Sequence, residues 1–126
     1  PVSGVAGDEF PAFTVHSSGL PIPARVESVE QLASVVRAHR AVGRQGGLLA
    51  CVPVPLADSL DKAMIDAVIE DALRAATKAK IEGPKVTPFV LGAIADATKG
   101  TSVIANLSLA RNNARVAAEL SVQLSR

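Results

Sequence analysis

Apolar residues recur at helical spacing in four stretches of this chain and run without interruption in a fifth. Val29, Leu32, Val35 and Val36 mark the first helix, which Ser28 caps with its hydroxyl while Gln31 completes a capping box. The helix is predicted to end near Val42, because Gly43 tolerates a left-handed closing conformation. Leu48 to Val52 is the uninterrupted run, which suits a strand covered on both faces. Pro53 and Pro55 cannot donate ladder hydrogen bonds, so the strand ends there and the chain leaves as a loop. Exits of this kind border ligand sites in α/β folds. Met64, Ile65, Val68, Ile69 and Leu73 form the apolar face of a second helix, starting at Ser59 with Asp61 near its positive end. It fades through Lys78 and Lys80 toward Gly83 and Pro84. Thr87 and Pro88 predict the cap and first turn of a third helix, carried by Phe89, Val90, Ile94 and Ala97 to about Lys99. Past Gly100, Ser102 is the expected cap of a long final helix running through Asn106, Leu109, Asn113, Val116, Leu120 and Leu124.

Four helices and one clear strand make an unfinished sheet, because a buried strand needs neighbours to pair its backbone groups. Pro1 to Val5 offers one more short strand. The expected class is α/β, with the sheet completed by polypeptide outside this sequence. Pro1 to Pro23 interleaves Phe10, Phe13 and Leu20 with glycines and prolines. Connections beyond about 12 to 15 residues are uncommon in compact domains, so a loop with such anchors is functional or packed against something else.

Hydrophobic residues make up 48% of the 126 residues and charged ones 20%, which argues against disorder and fits one domain or a piece of one. Thirteen basic residues against twelve acidic ones leave a charge of +1, spread along helices rather than gathered in a track. Tyr and Trp are absent, so no stacking platform for single-stranded nucleic acid exists, and nucleic acid is not expected as a partner. No apolar run approaches the roughly 20 residues that span a bilayer, and no leader opens the chain, so no membrane partner and a cytoplasmic location are expected. The single cysteine, Cys51, excludes an intrachain disulfide and suits a reducing compartment; it reads as a buried inert thiol rather than a nucleophile.

The opening loop carries the candidate chemistry. Asp8 and Glu9 are adjacent carboxylates with apolar neighbours, which either cap turns and pair with an arginine or line a pocket. His16 follows, as a hydrogen-bonding histidine or a pocket residue. Ser17, Ser18 and Gly19 form a turn whose hydroxyls and N–H groups can also hold an oxyanion. His39 is expected in solvent. Asn106, Asn112 and Asn113 interrupt the small and apolar final helix; Asn106 and Asn113, seven residues apart, share a face. Asparagine is a poor helix former and a poor core residue, so at least one amide serves a structural hydrogen bond or a ligand.

Three blocks in order, Asp8-Glu9-Phe10-Pro11-Ala12-Phe13 with Ser18-Gly19-Leu20-Pro21, then Val86-Thr87-Pro88-Phe89, then Ala105-Asn106-Leu107 with Asn112-Asn113-Ala114-Arg115, resemble the pseudouridine-5'-phosphate glycosidases of the indigoidine synthase A family. The resemblance runs nearly the whole length. It implies that residues 1–126 are the C-terminal portion of a single three-layer α/β/α domain, this chain supplying helices and a minority of the sheet strands. It further implies a homotrimer that reversibly cleaves pseudouridine 5'-phosphate to uracil and ribose 5-phosphate. The implied chemistry runs through a lysine imine and uses a divalent metal, typically manganese. The lysine and the metal ligands are expected in an N-terminal segment upstream of Asp8; Lys62, Lys78, Lys80, Lys85 and Lys99 match none of them. Asn106 corresponds to the family asparagine that orients the base, Asn113 is a second substrate-binding candidate, and Asp8, Glu9, His16 and Ser18 belong to the pocket loop or the subunit contact. The family commonly has a tyrosine and a nearby arginine where this chain has Thr14, Val15 and His16, and an Asn-Pro-Ile-Pro-like segment where it has Val52-Pro53-Val54-Pro55. These departures leave two alternatives open: a C-glycosynthase joining ribose 5-phosphate to another aglycone, and a non-catalytic fragment.

Overall fold

The computed structural model describes residues 1–126. Three parallel strands form its sheet in the order β2-β1-β3: β1 spans Val2–Val5, β2 Arg25–Val26 and β3 Leu49–Cys51. β1 is central, with Gly4 and Val5 opposite Arg25 and Val26 on one side and Val2, Ser3 and Gly4 opposite Leu49, Ala50 and Cys51 on the other. The apolar run thus is a strand, trimmed by one residue at each end, and the N-terminal residues supply a second. Nothing in the sequence announced β2, because two residues carry no period.

Alternation along the strands puts Val5, Val26 and Ala50 on one face, where Leu32 and Val35 of helix α1 (Val29–Ala41) and Leu120 of helix α4 (Thr101–Leu124) pack on them. Leu32 is fully buried there. Leu49 lies on the opposite face and is 55% exposed. A second cluster gathers Val15 of the opening loop with Ile65 of helix α2 (Lys62–Lys78) and Ile94 of helix α3 (Val86–Ala97). The opening loop is anchored through Val15 and Ala12, which exchange backbone hydrogen bonds, whereas Phe13 and Leu20, the anchors expected from sequence, are 45% and 63% exposed. Cys51 is buried, and burial pushes its thiol pKa up, so it stays protonated and inert.

At α1 the Gln31 N–H donates to Ser28 Oγ as expected and Gly43 adopts a φ of 72° just past the end, but the Gln31 side chain accepts from the Glu27 N–H at 2.7 Å rather than from that of Ser28, so the capping box is displaced by one residue. The other three starts differ. α2 is capped by Asp61, which accepts from the Met64 N–H at 2.7 Å; Ser59 instead accepts from the His16 N–H at 2.9 Å. α3 begins at Val86, continuing a short 3-10 turn over Gly83–Lys85, so Thr87 is already helical and no side chain caps it. α4 is capped by Gly100 at φ 84°, and Ser102 is buried within the helix, paired with Thr98 Oγ1 at 3.0 Å. The α3 and α4 caps stand two residues before the hydroxyl that looked like the cap, and the α2 cap two residues after it. No helix is long and apolar enough to cross a membrane.

Gly4 sits where β1 turns toward the loop, and a Cβ there would stand 2.2 Å from the Gly7 carbonyl oxygen. Gly4→Ala is expected to lower stability by about 1–3 kcal/mol through overpacking, read from urea unfolding. Gly47→Ala, which meets nothing within 4 Å, serves as the contrast; equal midpoints for the two variants would refute the close-approach argument.

Candidate functional site

One cleft of about 230 Å³ lies at the C-terminal ends of β1 and β3 and beside β2, lined by Ala6, Gly7, Asp8, Glu9, His16, Ser17, Arg25 and Pro53. Ala6 to Glu9 continue from β1, Arg25 is the first residue of β2, and Pro53 follows β3. This is the crevice where parallel sheets bind ligands. Ala6 turns the chain into it with a φ of 53°, a left-handed conformation unusual for a residue with a Cβ.

The two carboxylates are held differently. Glu9 Oε2 accepts from the Ser17 hydroxyl and from the Gly19 N–H at 2.8 Å. The Ser17 hydrogen bond, then the Gly19 N–H, and more weakly the charge of Lys62 hold the Glu9 pKa below its ordinary value. Asp8 Oδ2 accepts from Arg25 at 2.7 Å, while Glu27 binds the same guanidinium in a fork, through Nε at 2.7 Å and a second nitrogen at 2.8 Å. Glu27 in turn raises the Arg25 pKa, with Asp8 contributing, and is itself lowered by Arg25. All three side chains are more than a third exposed, so solvent screens these pairs, which orient Asp8 more than they stabilise the fold. Asp8 Oδ1 and Glu9 Oε1 have no donor within the chain.

His16 is fixed at both ends: its N–H reaches Ser59, and its Nδ1 lies 2.7 Å from the Val54 carbonyl oxygen. A carbonyl can only accept, so Nδ1 carries the proton and Nε2 is left as an acceptor in the neutral ring. Ser18 turns away from this chemistry, its hydroxyl accepting from the Leu20 N–H at 3.1 Å as an ordinary turn residue does.

The structure brings Asp8, Glu9 and His16 together but places the asparagines elsewhere. Asn106 is exposed and lines a hollow of about 100 Å³ with Phe13, Thr14, Leu91 and Ser102. Asn113, also exposed, borders a different hollow beside Leu32, Val52 and Val116. Phe13 and Thr14 line the Asn106 hollow, whereas His16 and Ser17 line the cleft. The amide with a structural partner is Asn112, whose Nδ2 donates to the Pro53 carbonyl at 3.1 Å and ties α4 to the loop after β3. Arg25 was not singled out from sequence, having no visible strand to place it, whereas Ser17, read there as part of an oxyanion-holding turn, instead donates to the Glu9 carboxylate.

No three His, Cys, Asp or Glu side chains converge on a point that could hold a metal ion. Two free carboxylate oxygens fall short of the oxygen-rich set a divalent ion requires, so the side chains of this chain alone do not fit manganese.

Because the folded-state pKa of Glu9 is lowered, its contribution to stability is full above the ordinary glutamate value of about 4.3 and is lost as the pH falls through the lowered value. Glu9→Gln is therefore expected to melt below the parent near neutral pH and to converge with it as the pH falls below the lowered value. A gap independent of pH would contradict the anionic role.

The family model described as indigoidine synthase A like protein matches residues 1–123. The pseudouridine-5'-phosphate glycosidase of Caldanaerobacter subterraneus subsp. tengcongensis is 42% identical over 126 residues, covering 100% of this chain and 41% of that protein. That of Petrotoga mobilis is 41% identical over 125 residues, covering 99% and 41%. Among solved structures, the prealnumycin C-glycosynthase AlnA in complex with ribulose 5-phosphate superimposes with a TM-score of 0.90 at 34% identity, over 99% of this chain and 41% of that one. An indigoidine synthase A-like protein of Thermotoga maritima gives 0.85 at 30% identity, over 100% and 41%. The chain spans about two-fifths of the length of these relatives. Matched along almost every residue in sequence and in backbone, it belongs to the indigoidine synthase A-like family.

Proposed function

We propose that this chain forms one wall of the active site of a C-glycosidase, cleaving pseudouridine 5'-phosphate to uracil and ribose 5-phosphate. In this reading the chain is the C-terminal portion of the enzyme, and the attacking lysine comes from an N-terminal segment outside these residues. The observation that carries it is the cleft at the strand ends, where Asp8 and Glu9 each keep an unengaged oxygen and the one arginine is already shared with Glu27. That wall has a surplus of negative charge. It repels a phosphate ester and suits a cationic group, as an incoming lysine ammonium or an iminium would be. The phosphate is then held by the other wall, and so are the ligands of the manganese.

Asp8 and Glu9 hold the cationic nitrogen in place, and His16 offers Nε2 to the ring that departs. Asn106, whose amide both donates and accepts, and Asn113 further along the same helix remain the base-binding candidates that the resemblance offers, in hollows separate from the cleft. Exposed Val103, Ile104 and Leu107 on α4 and Leu49 on the sheet are apolar area that the upstream segment and the other subunits of a homotrimer would cover. A cytoplasmic enzyme follows from the same reading.

A second reading is supported by the close superposition on AlnA: synthesis of a C-glycoside from ribose 5-phosphate and an aglycone other than uracil. The test joins this chain to the remaining length of the Caldanaerobacter relative in one polypeptide. Uracil release from pseudouridine 5'-phosphate, with a borohydride-trappable adduct, is the expected result. Product from ribose 5-phosphate and another aromatic, without uracil release, selects the synthase. A correctly folded fusion inert in both directions overturns an enzymatic role, and turnover by the chain alone overturns the external lysine.

A further inference from the structure

At the opposite end of the strands lies a larger hollow of about 430 Å³, bounded by His39, Arg40, Arg44 and Gln45-Gly46-Gly47, with Val36, Leu48, Ala50, Leu120 and Leu124 among its walls. We infer that it binds an organic anion, a phosphate or carboxylate carried on a flat apolar body, at a site separate from the strand-end cleft. Its rim is built from unspent donors. Arg40 and Arg44 make no ion pair or side-chain hydrogen bond within the chain, unlike Arg25, Arg74 and Arg115. None of the backbone N–H groups from Arg44 to Gly47 donates to another protein group. His39 holds the loop in place, its Nε2 lying 2.7 Å from the Gly46 carbonyl oxygen, so Nε2 carries the proton. A glycine-rich turn with unengaged N–H groups beside two guanidinium groups is a setting for an anion.

The bland explanation is that basic residues merely offset helix ends, since α1 and α4 both finish here. Each end carries about half a negative charge, so the two guanidinium charges exceed both together. The apolar wall adds what a bare ion does not need: Leu48, Leu120 and Leu124 can bury the face of a ring, and the volume lies in the range of small-molecule pockets.

The probe is phenyl phosphate, titrated into the isotopically labelled full chain while the amide resonances of Gly46 and Gly47 are followed, with inorganic phosphate and phenol as separate arms. Saturable shifts are expected with phenyl phosphate, and weaker binding with either half alone. Arg40→Gln with Arg44→Gln, both exposed positions, should weaken binding at least about tenfold while leaving the remaining spectrum in place. Absence of saturation, binding of phenol as tight as that of phenyl phosphate, or an unchanged affinity in the double variant each overturns the site. Inorganic phosphate binding as tightly as phenyl phosphate overturns the apolar half of the assignment. None of these readouts depends on glycosidase activity, so the inference and the proposed enzyme can fail separately.

Discussion

The pairing of β1 on both sides governs the rest of this structure. A parallel strand has no tight-turn partner, so each neighbour must arrive by a long excursion of chain. The path from β1 to β2 is the opening loop, and the path from β2 to β3 is α1. The loop carries Asp8, Glu9 and His16 because it must leave from the C-terminal end of β1 and return beside it. Gly4 lets the Gly7 carbonyl approach closely as the chain departs, and Arg25 then closes the loop by reaching Asp8 from the strand it has just begun. The cleft is thus a by-product of how a central strand acquires its partners, which is why parallel sheets repeatedly place ligands there.

Within the cleft, hydrogen bonding divides two neighbouring carboxylates that the sequence could not tell apart. Glu9 accepts from a hydroxyl and a backbone N–H, both neutral donors, and so keeps its net charge. Asp8 shares a guanidinium with Glu27, leaving two carboxylates on one cation. Both arrangements leave the wall anionic. His16 stands beside them, immobilised by Ser59 and by the Val54 carbonyl, which requires the proton on Nδ1.

Much of this was legible beforehand. The helices declared themselves through apolar spacing, Gly43 and Gly100 ended and opened segments where their freedom was needed, and the uninterrupted run at 48–52 was a strand. The caps were less legible because a serine or threonine near a helix start is a local signal, and tertiary demand outbid it: Ser59 was recruited by His16, and Ser102 by Thr98. β2 was invisible, since its two residues exist as a strand through pairing with β1 and not through any pattern of their own. The site was half legible for the same reason. Asp8, Glu9 and His16 stood close in sequence, whereas Arg25 joined them through the sheet. Asn112 was grouped with its two neighbouring asparagines, and which amide met a partner depended on where the loop after β3 placed the Pro53 carbonyl.

The two ends of the sheet differ in charge for a reason that precedes any function. Helices that return antiparallel to the strands bring their C-terminal ends to the strand starts, and basic residues there offset the partial negative charge of the terminal carbonyls. Arg40 and Arg44 fit that rule for α1, and Gly43, at a φ of 72°, turns the chain back toward β3. At the other end, turns leaving the strands favour Asp, Glu and Ser, which satisfy exposed N–H groups locally, as Glu9 does for Gly19. Topology alone therefore polarises the molecule, negative where the strands end and positive where they begin. Selection for binding need only adjust which of those charges remain unpaired, and at both ends some do: a carboxylate oxygen each on Asp8 and Glu9, and the two guanidinium groups beside the Gly46-Gly47 turn.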